Sequence, residues 1–167
     1  YRDIGDDVPI DVLDFTTDMS TFSFRIGRAE PMGGGGDAAE DVFGGLDRAL
    51  KLSWSKQSVG ARFLLHTCDA PGHGTRYHAF ADRKKDNSWN DNRSQWDRFA
   101  DFDSSGELGK GLMHRISEKG IVYVFLEIYP FTQKMTQLFQ TWYDEVSSTK
   151  MVCSKLDRDL ASLRGTM

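Results

Sequence analysis

Apolar residues follow helical spacings in some stretches of the chain and form short continuous runs in others, and the order of these stretches predicts a layered α/β domain. The run at 61–67 has the apolar content of a parallel strand that helices cover on both faces, and the run at 121–128 is the strongest predicted strand. Amphipathic segments separate these runs. The order strand, helix, strand, helix, strand, helix predicts a doubly wound, mostly parallel sheet in three layers.

The predicted helices begin and end at local signals. Asp18 can cap a short helix that ends near Gly27, and Ser104 opens a capping box for a helix that ends at Gly120. A strongly amphipathic helix follows Pro130. Edge strands are predicted at 8–15 and 151–156, and one or two helical turns at 157–163. We expect eight apolar side chains between sheet and helices: Leu46, Leu50, Leu64, Leu65, Val122, Val124, Phe139 and Trp142.

Four consecutive glycines at 33–36 connect a loop to a further predicted helix. Backbone without Cβ atoms can approach a ligand or a metal-bound anion closely. Asp37 stands where the N-cap of that helix is expected, and Glu40 completes a capping box with it. With Asp41 they place negative charge at the helix N-terminus, where the helix dipole favours it. The acidic residues are therefore predicted to cap the helix, to hold a metal ion, or to do both.

The composition fits one globular domain of 167 residues. A net charge of -4 argues against a general nucleic-acid binder. Cys68 and Cys153 lie far apart without metal-ligand spacing, which predicts reduced thiols in a cytoplasmic protein. No apolar run approaches the roughly 20 residues of a membrane span. The polar stretch 72–104 predicts a long loop of the kind that often carries function.

Enzymatic chemistry is the alternative to a binding role. The sequence DAPGH at 69–73 matches the Asp-x-x-Gly switch of GTPases, but the chain has no phosphate loop of the form G-x-x-x-x-G-K-[ST]. His66, His73 and His78 could form a zinc site with Asp69, although no His-Glu-x-x-His pair fixes such ligands on a helix. A metal-dependent hydrolase or a degenerate nucleotide-binding domain that uses the 69–78 loop therefore stays open as the alternative.

A set of motifs spread over most of the chain, to about residue 146, carries a family resemblance. The motifs are YRD at 1–3, VLDFT at 12–16, GGGDAAEDV at 34–42, GL at 45–46, LLH at 64–66, DAPGHG at 69–74 and GIVYVF at 120–125. Together they resemble the von Willebrand factor A (VWA) domain, in the variety found beside atypical α-kinase catalytic domains. The glycine-acidic stretch and the DAPGHG run are the more specific of these motifs.

The resemblance implies a metal-ion-dependent adhesion site above the carboxyl ends of the sheet. A divalent cation there, usually Mg²⁺, has oxygen ligands and an open position for a partner's carboxylate. By resemblance, Asp69 corresponds to the last protein ligand, and Asp37 or Glu40 stands in the region of the second loop's ligand. The chain begins after the place of the first strand, its Asp-x-Ser-x-Ser turn and the first helix. We therefore expect an exposed apolar flank on the sheet and weak or absent Mg²⁺ binding by these residues alone.

These considerations predict a partial VWA-type domain at 1–148, with 149–167 as its C-terminal edge strand and helix or tail. The expected function is non-catalytic protein binding, as a regulatory or scaffolding part of a larger protein such as an α-kinase. Any kinase activity would lie outside this segment. The expected partner is a protein that offers an acidic side chain, rather than nucleic acid or a membrane. The predicted partner-binding face contains Gly34, Gly35, Gly36, Asp37, Asp69, His73 and His78.

Overall fold

The computed structural model describes residues 1–2, 10–29, 39–56, 60–78, 103 and 105–156. These residues contain the helices α1 (Met19–Gly27), α2 (Val42–Leu50), α3 (Glu107–Glu118) and α4 (Gln133–Val146), and the strands β1 (Arg62–Cys68), β2 (Ile121–Glu127) and β3 (Val152–Lys155). A 3-10 turn at Pro130–Thr132 leads into α4.

The three strands form one parallel sheet in the order β1-β2-β3. The register places Leu65 of β1 beside Val124 of β2, and Val124 beside Val152 of β3. Each of the two connections between successive strands contains a helix: α3 lies between β1 and β2, and α4 between β2 and β3. This arrangement confirms the predicted α/β class, whereas the three-layer, doubly wound arrangement stays a prediction.

Helices cover one face of the sheet. Helix α3 packs against α2, α4 and β2, and the β2 residues Ile121, Tyr123 and Phe125 on this face are fully buried. The core cluster contains four of the predicted core residues: Leu46, Leu50, Phe139 and Trp142. Leu64 is partly buried and packs against the same cluster. The core therefore lies between this face of the sheet and helices α2, α3 and α4.

The opposite face of the sheet is open within the part of the chain that the structure describes. Phe63 and Leu65 are 61% and 62% exposed, and Val152 is 46% exposed. The prediction of Leu65 as a core residue was therefore wrong, and among the described residues no helix buries this side of β1. Alternating side chains place 63 and 65 on the face away from the helices. The apolar flank predicted at the place of the first strand is an edge of the sheet and not a face, so it stays a prediction.

The beginning of α2 differs from the prediction. Its N-cap is Asp41, whose Oδ1 accepts a hydrogen bond from the Gly44 amide at 2.8 Å. Glu40 lies before the helix in a β-bridge, so it does not complete the predicted capping box. Asp37, the predicted N-cap, lies outside the described residues. The helix begins later because backbone pairing of Glu40 with a distant segment competes with helical geometry.

Other helix ends follow local signals more closely. Asp18 caps α1 by accepting hydrogen bonds from the Ser20 and Thr21 amides, as predicted. Gly120 has φ +61°, which suits glycine just after the end of α3. At the other end of α3 the Asp103 carboxylate accepts bonds from two backbone amides. The predicted cap, Ser104, lies outside the described residues.

Three further predictions have an outcome in the structure. Residues 10–15 form no strand, so the predicted edge strand at 8–15 is wrong over these positions. Strand β3 confirms the last strand, while 157–163 lies outside the described residues. Cys68 and Cys153 are both free thiols. None of the described helices combines the length and apolar character required to cross a membrane.

Candidate functional site

The candidate site lies at the carboxyl end of β1. The strand ends at Cys68, and Asp69 follows it with an exposed side chain. Ligands of open parallel α/β sheets bind at the carboxyl ends of the strands. Asp69 therefore occupies a position from which its carboxylate can contact a ligand.

Glu40 reaches the same end of the sheet. It forms an isolated parallel β-bridge with Gly72, and its amide donates a hydrogen bond to the Pro71 carbonyl at 3.0 Å. The end of the glycine-acidic stretch is thus joined through its backbone to the turn that begins at Asp69. The structure brings together the segments of two predicted metal ligands, Asp69 and Glu40.

The two histidines of the predicted partner-binding face lie in the interior. His73 is fully buried and His78 is 2% exposed, so their side chains do not lie on an accessible surface. The segment turns inward because Tyr77 packs edge-on against Phe43, with ring centroids 4.8 Å apart. The other members of that face, Gly34, Gly35, Gly36 and Asp37, lie outside the described residues.

The described residues do not complete a Mg²⁺ site. They contain no group of three or more His, Cys, Asp or Glu side chains placed to hold a metal ion. Magnesium takes near-octahedral oxygen coordination, to which Asp69 and Glu40 could add at most two carboxylates. A zinc site that includes His66 also does not fit, because both ring nitrogens of His66 are hydrogen-bonded to tyrosines.

Beneath the Asp69 turn lies a chain of polar side chains that the sequence did not predict. Nε2 and Nδ1 of His66 lie 2.7 Å from the Tyr1 hydroxyl and 2.6 Å from the Tyr123 hydroxyl. The Tyr1 hydroxyl also lies 2.8 Å from Sγ of Cys68, which donates to the Ala70 carbonyl at 2.7 Å. Burial lowers the pKa of His66 to about 3 and raises the pKa of Cys68 to about 11. At neutral pH this network therefore contains a neutral imidazole and a thiol.

A second buried contact closes the base of the predicted 72–104 loop. The Tyr77 hydroxyl donates a hydrogen bond to the buried carboxylate of Asp103. Asp103 also accepts from the Leu108 amide at 2.9 Å and the Gly109 amide at 2.7 Å. Residues 79–102 lie outside the described residues. One carboxylate thus fixes the start of α3 and connects the two described ends of the loop.

Fold and site together define a small parallel α/β sheet with an acidic turn at the carboxyl end of its first described strand. A 50-residue stretch of the chain is 50% identical to Alpha-protein kinase vwkA of Dictyostelium discoideum. This stretch is 30% of the chain and 8% of that protein. No protein-family model matches the chain. The chain is therefore similar, over this stretch, to a short part of an α-protein kinase.

Proposed function

We propose that the chain is a non-catalytic, protein-binding module of the VWA type within a larger protein, and that its binding face is the acidic turn at the carboxyl end of β1. The observation that carries the proposal is the β-bridge between Glu40 and Gly72, next to the exposed Asp69. It joins the described end of the glycine-acidic motif, at Glu40, to the DAPGHG motif at one end of the sheet. The similarity to an α-protein kinase supports the expected protein context.

We propose that Mg²⁺ binds at this face, but only with ligands in addition to Asp69 and Glu40. Asp69 and Glu40 supply hard oxygen atoms, which Mg²⁺ prefers, but two carboxylates leave most coordination positions to water. When bound, the cation would offer an open position to an acidic side chain of a partner. The carboxylate of Asp69 is the ligand whose loss should matter most, because it is exposed at the end of the strand.

The test combines partner capture with turnover assays. The protein is immobilised in Mg²⁺ or in EDTA, and captured proteins are compared for wild type, Asp69→Ala and the control Glu118→Ala. Glu118 is an exposed acid at the far end of α3, so its replacement changes net charge equally. We expect capture that decreases at least tenfold (about 1.4 kcal/mol) in Asp69→Ala and is unchanged in Glu118→Ala. EDTA should weaken capture only where further ligands complete the Mg²⁺ site, because Asp69 and Glu40 alone are expected to hold the ion weakly.

The same preparations are assayed for nucleotide binding, phosphatase activity and NTP hydrolysis. A non-catalytic module should show none of these. Turnover by the wild type that Asp69→Asn abolishes would instead support the metal-dependent hydrolase. Capture that is insensitive to both EDTA and Asp69→Ala would show that the binding face lies elsewhere.

A further inference from the structure

In the hydrogen-bond network beneath the Asp69 turn, the number of protons on each group determines which atom donates and which accepts. The thiol of Cys68 has one proton, and the Ala70 carbonyl can only accept, so the thiol donates there at 2.7 Å. At its contact with Tyr1 the sulfur must therefore accept, and the Tyr1 hydroxyl donates its single proton to it at 2.8 Å.

The same count continues through the histidine. Because the Tyr1 hydroxyl has used its proton, its oxygen accepts from Nε2–H of His66 at 2.7 Å. A neutral imidazole has only one N–H, so Nδ1 accepts from the Tyr123 hydroxyl at 2.6 Å. His66 is 6% exposed among aromatic rings, and burial disfavours its charged form. Every donor in the network therefore points towards the Asp69 turn.

We propose that this network is a polarised relay, from Tyr123 through His66, Tyr1 and Cys68 to the backbone of the Asp69 turn, and that these side chains are positioning residues for the turn. Hydrogen bonds that point in one direction polarise and strengthen one another, most strongly where they are buried. Tyr123, His66 and Cys68 are buried, whereas Tyr1 is 37% exposed. The relay ends on the carbonyl next to Asp69. Its importance for partner binding rests on the proposed function, whereas its existence does not.

Two features of the backbone explain how the relay can affect the whole candidate face. The Ala70 carbonyl precedes Pro71, whose own carbonyl accepts the Glu40 amide. Fixing the first carbonyl therefore helps to orient the second, to which the glycine-acidic stretch is joined. In helix α2, Gly45 leaves room for the Tyr1 ring, because a Cβ added at Gly45 would lie 2.4 Å from Cδ1 of Tyr1. The surroundings of the Tyr1 ring are thus shaped to accommodate it.

The first measurement is the tautomer of His66 in the purified chain at pH 7. Ring ¹⁵N chemical shifts of ¹⁵N-histidine-labelled protein report it, and the signals lost in His66→Gln assign the residue. The relay requires a neutral ring with its proton on Nε2. In Cys68→Ala the Tyr1 hydroxyl loses its sulfur acceptor and should donate to Nε2, so the Nδ1–H form should increase. Cys68→Ser, which keeps both a donor and an acceptor, should retain the Nε2–H form.

The second measurement is hydrogen exchange of the Glu40 amide compared with the Phe139 amide in α4. Loss of the bond to the Ala70 carbonyl in Cys68→Ala should speed exchange at Glu40 about tenfold and leave Phe139 unchanged. Cys68→Ser should stay within about threefold of wild type at Glu40. An Nδ1–H or cationic His66 in the wild type would overturn the relay. So would equal acceleration at both amides in Cys68→Ala, or a Cys68→Ser variant that behaves like Cys68→Ala.

These outcomes are separate from those of the proposed function. The relay would stand and the binding face would be rejected if two results were found together. His66 would have the Nε2–H tautomer, with exchange that is faster at Glu40 alone in Cys68→Ala and restored in Cys68→Ser, and capture would be unaffected by Asp69→Ala. Capture that depends on Asp69, together with an Nδ1–H tautomer, would keep the binding face and reject the relay.

Discussion

Replacing Gly109 or Gly111 with alanine should change the stability of the protein in opposite directions, although both residues lie in α3. A Cβ added at Gly109 would lie 2.8 Å from Cζ3 of Trp142. It would also lie 2.9 Å from the Tyr77 hydroxyl and 3.0 Å from Oδ2 of Asp103. All three neighbours are buried, so they cannot move aside without disturbing their own packing. Gly111 has no atom within 4 Å of an added Cβ.

The expected free energies follow from two opposing effects. Alanine favours a helix over glycine by about 0.8–1 kcal/mol, while overpacking a filled core costs about 1–3 kcal/mol. Rigid neighbours at three sides of Gly109 favour the upper part of that range. We therefore expect Gly109→Ala to lower the free energy of unfolding by about 1–2 kcal/mol and Gly111→Ala to raise it by about 0.5–1 kcal/mol.

Urea denaturation, followed by tryptophan fluorescence and far-ultraviolet circular dichroism, measures both changes. The midpoint should move in opposite directions for the two variants, with the denaturant slope unchanged. If Gly109→Ala is as stable as Gly111→Ala, the described packing of α3 against Trp142 and the Tyr77–Asp103 pair is wrong.

Three further predictions use the same measurements. Phe139→Ala should lower the free energy of unfolding by about 3–5 kcal/mol, because Phe139 is fully buried. Phe63→Ala, at a side chain that is 61% exposed, should cost about 1 kcal/mol or less; similar losses for the two would refute the assignment of the faces of β1. Burial lowers the pKa of His66 from 6.5 to about 3, so below pH 6.5 the unfolded chain binds a proton that the folded chain does not. The stability that the neutral His66 contributes is fully present above pH 6.5. It decreases by up to about 1.4 kcal/mol per pH unit as the pH falls to about 3. His66→Gln should therefore flatten the pH dependence of the free energy of unfolding between pH 7 and 5.5, and an unchanged slope would contradict a buried, neutral His66. Asp18→Ala removes the N-cap of α1 and should speed amide exchange in that helix. The urea midpoint should not change, because α1 has no buried residue; a shifted midpoint would show that α1 folds together with the core.

Local chemistry was sufficient to predict most helices and strands. Asp18 and Gly120 have the expected roles because capping and left-handed backbone depend on neighbours within a few residues. Strands β1 and β2 follow from continuous apolar runs, and β3 lies within the edge strand predicted at 151–156. The segments of Asp69 and Glu40 could be placed near each other only through the VWA resemblance, since nothing local connects residues that lie 29 positions apart in the printed sequence.

Hydrogen bonds to distant segments help to select the observed starts of α2 and α3. The acidic stretch before α2 has a good local capping pattern, but Glu40 pairs with Gly72 and the helix begins at Val42. At α3 the capping carboxylate comes from Asp103, which also binds the Tyr77 hydroxyl. In both places a hydrogen bond to a residue far away in the sequence selects one of several locally acceptable caps.

The sequence by itself determined which residues share a face, and only the tertiary structure decided which face is covered. Alternation along β1 separates Leu65 from His66, but it cannot show that the described helices pack on the His66 side. The relay to Tyr1 joins side chains 65 residues apart, and its direction depends on distances that no local pattern contains. Periodicity records the geometry of a single element, whereas burial and long-range hydrogen bonds depend on how the elements pack together.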